Sequence, residues 1–190
     1  SNMVIRNYIG DNLGWDQAGY WQGIWYISTM YLMVVTTPLS VYYLPRLSEI
    51  KSKKHLRLEL LQGYKVIIPL VIVMSVTIFY LRDFIILTLF TDQFAPIRDL
   101  FMWQLFGDVV KIAAWLLSYV VLAKAMVKLY IVSEVIFGVI FTVLSIILVD
   151  KFGLVGVSYA FAINYVLYFF TMILMTKSHW YGHDNAADSI

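Results

Sequence analysis

The sequence predicts an all-α, polytopic membrane protein, and three observations carry that prediction. The 190 residues are 61% hydrophobic and only 14% charged, against ~45–50% apolar and ~25% charged in ordinary soluble domains. Mean hydropathy is +0.77. Five stretches, 20–44, 66–81, 101–123, 129–149 and 159–176, approach or exceed the roughly 20 apolar residues that a helix needs to cross a bilayer. With no cysteine in the chain, disulfides, thiolate nucleophiles and zinc–cysteine sites are excluded. A net charge of +2 gives no reason to expect a nucleic-acid partner.

Taken in order, Ser1-Asn2-Met3 reads as the scar of a cleaved tag, so residues 1–3 are set apart. Val4-Ile5-Arg6-Asn7-Tyr8 then looks like the end of a helix that has lost its beginning. The expectation is therefore five transmembrane helices plus a truncated preceding one, the C-terminal piece of a longer transporter, with residues 4–180 forming one bundle; a self-contained five-helix protein is the alternative. Pro38 and Pro45 predict a kink or early stop in the first span, with Thr36, Thr37 and Ser40 placed to satisfy freed backbone groups. Leu47, Ile50, Leu56, Leu58, Leu60 and Leu61 among the charges of 45–64 suggest an amphipathic interfacial helix. The second span, 66–81, is short. Residues 84–90 are apolar but too few to cross, which predicts an interfacial or re-entrant segment. Thr91-Asp92-Gln93 then makes a turn and Pro96 opens the next element. Trp21, Trp25, Tyr42, Tyr43, Tyr80 and Trp180 lie near the proposed ends, as an interfacial aromatic belt would. The polar residues 181–190 predict a flexible tail.

Lysine and arginine set the orientation. Arg46, Lys51, Lys53, Lys54, Arg57, Lys65, Lys124, Lys128 and Lys177 fall on one side, and Arg6, Arg82, Arg98 and Lys151 on the other; Lys111 lies within a span. Cytoplasmic loops carry the excess of basic residues. The 46–65 segment and the C-terminus are therefore expected in the cytoplasm.

The third span holds the most informative pattern. Gln104, Asp108, Lys111, Trp115 and Ser118 recur at alternating steps of four and three, which places them on one helix face. A charge at the bilayer centre costs ~2.5–3.5 kcal/mol on insertion scales, so intramembrane charges mark protein interiors, cavities or transport paths. Lys111 sits roughly 15 Å below Phe101 at 1.5 Å per residue, close to the midplane. It has the chemistry to meet a phosphate or carboxylate, and Asp108 to take up a proton or sodium ion. The alternative is an internal ion pair, geometrically allowed at this spacing, that neutralises both charges and fixes register. Glu134 reads as a third buried charge that bridges to Lys111 or to Lys124 and Lys128, or serves structure alone. Two further polar stripes, Trp25, Thr29, Thr36 and Ser40 on the first span and Asn164, Tyr168 and Thr171 on the last, have the character of helix–helix glue. The doublets Arg82-Asp83 and Arg98-Asp99 read as loop salt bridges or as outer-face contacts for a diphosphate or acidic sugar.

Enzyme signatures fail on inspection: there is no GxSxG, HExxH, Walker A or GxGxxG pattern, and no cofactor is expected. His55, His179 and His183 fall in loop and tail and read as solvated. Transport without an ATP site implies another helper or an ion gradient.

The residues also carry a family likeness. Trp21-Gln22-Gly23, Tyr42-Tyr43-Leu44-Pro45-Arg46-Leu47-Ser48, Leu81-Arg82-Asp83-Phe84 and above all Phe94-Ala95-Pro96-Ile97-Arg98-Asp99-Leu100-Phe101-Met102-Trp103-Gln104-Leu105-Phe106-Gly107-Asp108-Val109-Val110-Lys111 resemble the C-terminal half of Wzx-type lipid-linked oligosaccharide flippases. These include the translocases of O-antigen and of enterobacterial common antigen, within the superfamily of multidrug and lipid-linked oligosaccharide exporters. The resemblance implies a twelve-helix exporter of two six-helix bundles in the bacterial inner membrane. It implies a substrate of undecaprenyl-diphosphate-linked oligosaccharide, with membrane lipids and the polysaccharide polymerase and chain-length machinery as partners. Carried to these positions, the pathway is lined by Gln104, Asp108, Lys111 and Glu134, with Arg46 at the cytoplasmic mouth. A drug or cation antiporter of the same superfamily is a second reading, against which Lys111 counts. A membrane-embedded glycan-processing enzyme lacks the expected clustered His and Asp. A purely structural subunit leaves the intramembrane charges without purpose.

Overall fold

A computed structural model describes residues 2–90 and 92–180. Ser1, Thr91 and residues 181–190, His183 among them, lie outside the described residues, as do the side chains of His179 and Trp180. Among the described residues there is no strand. Seven helices follow one another: α1 (Asn2–Leu13), α2 (Trp15–Pro38), α3 (Leu44–Glu49), α4 (Lys53–Leu89), α5 (Phe101–Ala123), α6 (Val127–Phe152) and α7 (Val155–Trp180). Among the described residues, five segments are long and apolar enough to cross a membrane.

α1 is anchored by Ile5 and Ile9, four residues apart on one face and both buried. The Tyr8 hydroxyl donates to Asp150 Oδ1 at 2.6 Å, tying α1 to the far end of α6. Gly14, at φ +102°, makes the turn into α2 that a side chain would strain.

Pro38 acts locally rather than as a full stop. Lacking an N–H, it cannot donate to the carbonyl one turn back, and the chain continues through a wider, π-helical turn over Leu39–Tyr43 before α3. Ser40 Oγ donates to the Thr37 carbonyl at 3.0 Å there, so one of the expected hydroxyls meets a backbone group.

α4 overturns the expectation of a re-entrant segment at 84–90. The helix runs unbroken for 37 residues, from Lys53 to Leu89. The physical reason is that no proline or glycine follows Pro69 until Pro96, and continuing the helix satisfies every backbone group internally. The 53–64 part of the expected interfacial helix is likewise the first stretch of α4. A 3₁₀ segment, Asp92–Leu100, contains Pro96 and leads into α5.

α5 is the centre of the bundle. More than half of its apolar stretch is buried, whereas α4 and α6 turn most of theirs outward. It packs most extensively on α7, which also packs on α6. Gly107 makes that approach possible: a Cβ there would overlap the Phe161 ring. Gly153, at φ +65°, ends α6 with its N–H on the Val149 carbonyl at 2.8 Å and turns the chain into α7. Trp21 is 2% exposed and packs in the core, which corrects its reading as an interfacial anchor.

Candidate functional site

The polar face of α5 divides between two surroundings. Asp108 is fully buried and turned toward α2. Its Oδ2 accepts from Ser28 Oγ at 2.7 Å and from the Tyr31 hydroxyl at 2.9 Å. Tyr31 in turn lies 3.2 Å from Ser75 Oγ on α4, so one buried hydroxyl chain joins three helices. Oδ1 is buried without a partner of ordinary hydrogen-bond geometry. The Gln104 amide, also fully buried, precedes it by one turn on the same face.

Lys111 points elsewhere. Its ammonium sits 5.0 Å from the Trp115 ring centroid, 5.6 Å from Trp25, 5.6 Å from Tyr165 and 5.9 Å from Phe161. Four aromatic rings from α2, α5 and α7 therefore surround one cation within the range of cation–π attraction. Asp108 and Glu134 supply the opposite charge felt at Lys111, yet neither forms an ion pair with it among the described residues. The i, i+3 pair that the spacing allows is not made, because the Asp108 carboxylate is held by α2.

Three of the four cage rings, Trp25, Phe161 and Tyr165, also line a cavity of about 200 Å³ shared with Glu134, Asn164 and Tyr168. The cage is thus one wall of an open space, with the ammonium behind it. Glu134 lines the cavity from α6 but is exposed, which corrects the expectation of a third buried charge. Its Oε1 accepts from the Tyr168 hydroxyl at 2.6 Å. Among the described residues Glu134 forms no ion pair with Lys124 or Lys128; the Lys124 ammonium donates to the Ile50 carbonyl.

Of the expected pathway residues only Glu134 lines this cavity; Gln104 and Asp108 are buried on α5 and Lys111 sits within the ring cage. The structure does not bring the arginines to the cavity. Arg46 pairs with Glu59 at 2.8 Å beside a separate, largely apolar cavity that includes Pro38 and Tyr43. Arg82 and Arg98 line a cleft at the other end of α4, with Arg98 paired to Asp83 at 2.5 Å.

Sequence reasoning missed Ser28, Tyr31, Ser75, Phe161 and Tyr165. Trp25, Ser28 and Tyr31 recur every three residues, and that was the available signal. Of the first-span stripe only Trp25 joins the site; the Thr29 hydroxyl donates to the Trp25 carbonyl of its own helix at 2.9 Å. On α7, Tyr168 does link helices, whereas Thr171 bonds its own Leu167 carbonyl.

Chemically, the arrangement holds a partly desolvated cation against π faces beside a cavity. Lys111 does not itself line the cavity; an anionic oxygen that displaced a ring of the cage could take up charge-assisted hydrogen bonds from it, worth ~1.5–3 kcal/mol each.

The chain is similar to the Lipid III flippase of Escherichia coli (strain K12) and to that of Shigella flexneri, 37% identical to each over 167 residues. The match takes in 88% of this chain and 40% of each relative, so the chain spans less than half the length of the curated relatives it matches. The likeness to Wzx-type flippases that the motifs carry therefore holds over most of the chain. No protein-family model matches the chain, and no solved structure matches it.

Proposed function

We propose that this chain is part of a transporter that moves a polyprenyl-diphosphate-linked oligosaccharide from the cytoplasmic to the periplasmic leaflet of the bacterial inner membrane, for assembly of a surface polysaccharide. It is not an enzyme in this reading. The observation that carries the proposal is the ammonium of Lys111, caged at membrane depth beside a cavity in a chain 37% identical to Lipid III flippases.

The cage holds the cation without a fixed counter-ion. Cation–π attraction of ~2 kcal/mol or more in a desolvated site offsets part of the cost of burying the ammonium, and can be exchanged for a phosphate oxygen. The cavity's aromatic rings offer faces for sugar rings, and Glu134 and Asn164 offer hydrogen bonds to their hydroxyls. The isoprenoid tail stays in lipid. The chain supplies one side of the path, with the C-terminus in the cytoplasm. A polymerase and chain-length partner then receives the product.

The test belongs in the longer transporter that contains these residues. Lys111→Ala is expected to abolish export of the lipid-linked oligosaccharide at unchanged protein abundance, and Lys111→Arg to retain part of it. Export at the wild-type rate by Lys111→Ala would remove Lys111 from the path and the proposal with it.

A further inference from the structure

We propose that the groove between α4 and α5, together with the arginine-bearing cleft at its end, binds a zwitterionic phospholipid: its phosphate on Arg82 and Arg98, its ammonium on Asp99, and one acyl chain along the groove. This site is separate from the cavity beside Lys111 and does not depend on what passes through that cavity.

The cleft has a volume of about 440 Å³ and is lined by Arg82, Arg98, Asp99, Trp103 and Tyr159. The groove below it, about 350 Å³, is lined by apolar side chains of the two helices, among them Ile72, Val76 and Phe106. Phe79 and Met102 line both spaces, so the two adjoin at these side chains. From Ile72 to Arg82 the helix rises roughly 15 Å, about half of a ~30 Å hydrocarbon core. A chain lying in the groove therefore reaches toward the midplane when the charged end is at the headgroup level. Trp103 and Tyr159 meet edge to face at 5.1 Å, which gives that end the rigid amphipathic wall typical of an interface.

Arg82 is held ready for an oxyanion. Its Nη1 donates to the Phe79 carbonyl at 3.1 Å, and its guanidinium carbon lies 4.1 Å from the Phe79 ring centroid. Its Nε is buried without a hydrogen-bond partner. A phosphate oxygen is the acceptor that a planar guanidinium binds best.

The charge balance selects the headgroup. Two guanidiniums face two carboxylates, with Asp83 on Arg98 at 2.5 Å and Asp99 in the cleft. Asp99 has no ion pair among the described residues. An isoprenoid diphosphate would set its second phosphate against Asp99, and a phosphate esterified to a neutral alcohol would leave Asp99 without a cation. A phosphate carrying a tethered ammonium matches both signs, with Asp99 receiving the ammonium. A packed protein helix would have to desolvate these charges without that compensation.

The longer transporter that contains these residues, purified in detergent, is offered equimolar phosphatidylethanolamine and phosphatidylglycerol with identical acyl chains, and retained lipid is read by native mass spectrometry. Phosphatidylethanolamine is expected to be retained preferentially. Loss of one charge-assisted contact corresponds to a drop of about tenfold, so Asp99→Asn should erase the preference. Arg82→Gln with Arg98→Gln should lose both lipids. Val76→Trp, which fills the groove without touching a charge, should lose both as well. If the double arginine variant does not fold, Asp99→Asn and Val76→Trp decide. Equal retention of the two lipids by the wild type, or unchanged retention in the folded variants, overturns the proposal. So does displacement of phosphatidylethanolamine by equimolar undecaprenyl diphosphate, which would assign the groove to an isoprenoid lipid.

Discussion

Tyr31 on α2 donates its hydroxyl to Asp108 Oδ2 on α5 at 2.9 Å, and Ser28, three residues earlier, donates to the same oxygen at 2.7 Å. A carboxylate that would otherwise be an uncompensated charge is thereby the point at which the second helix is fastened to the central one.

Removing one of these donors should cost ~1.5–3 kcal/mol, the range for a hydrogen bond to a charged group. Tyr31→Phe is expected to lower the thermal unfolding temperature in detergent, and Ser28→Ala to do the same. In an Asp108→Asn background the Tyr31→Phe penalty should shrink. An equal penalty in both backgrounds would show that Tyr31 acts through packing alone.

The unpaired state of Lys111 and Asp108 separates their variants. If the two formed a buried ion pair, each single substitution would strand the other charge at ~3–5 kcal/mol. With the ammonium caged by rings instead, Lys111→Met should leave abundance and melting temperature near wild type, while Asp108→Leu destabilises by orphaning Ser28 and Tyr31. The double variant Lys111→Met with Asp108→Leu should regain no stability over Asp108→Leu. Recovery to wild-type stability would restore the ion-pair account.

Gly107 should be the least replaceable small residue of α5. Its missing Cβ leaves room for the Phe161 ring, and that ring is one side of the Lys111 cage. Gly107→Ala overpacks the α5–α7 contact, for which 1–3 kcal/mol is a typical cost. Gly107→Ala with Phe161→Leu should recover stability, measured by detergent melting, but not transport. Gly107→Ala alone at wild-type stability would refute the close approach.

Topology can be read by cysteine labelling, since the chain has no native cysteine. With an impermeant thiol reagent on whole cells, Ser52→Cys is expected to stay unlabelled and Gln93→Cys to react. The reverse pattern would invert the orientation that the basic residues predict.

Much of the bundle was legible in the primary structure, for reasons visible in particular residues. The stripe from Gln104 to Ser118 lies on one face of α5 because side-chain direction follows the helical period, and Gln104, Asp108 and Ser118 are indeed buried there. The continuation of α4 through 84–90 was not read, because a length of apolar residues does not say whether the helix before it stops. The exposure of Glu134 was not read either: α6 is apolar on all faces, so no moment told its inner side from its outer.

The sequence by itself determined the class, the five apolar crossings and the register of polar groups along each helix, since hydropathy and a period of 3.6 residues are local properties. Only the tertiary structure decided which neighbour each polar group would meet. Asp108 and Lys111 stand one turn apart, yet the first is bound by α2 hydroxyls and the second by aromatic rings of α2, α5 and α7. That division rests on how closely α7 approaches α5 at Gly107, and on the rotation that turns Ser28 and Tyr31 inward. Both are set by the packing of side chains distant in the chain, which no local pattern encodes.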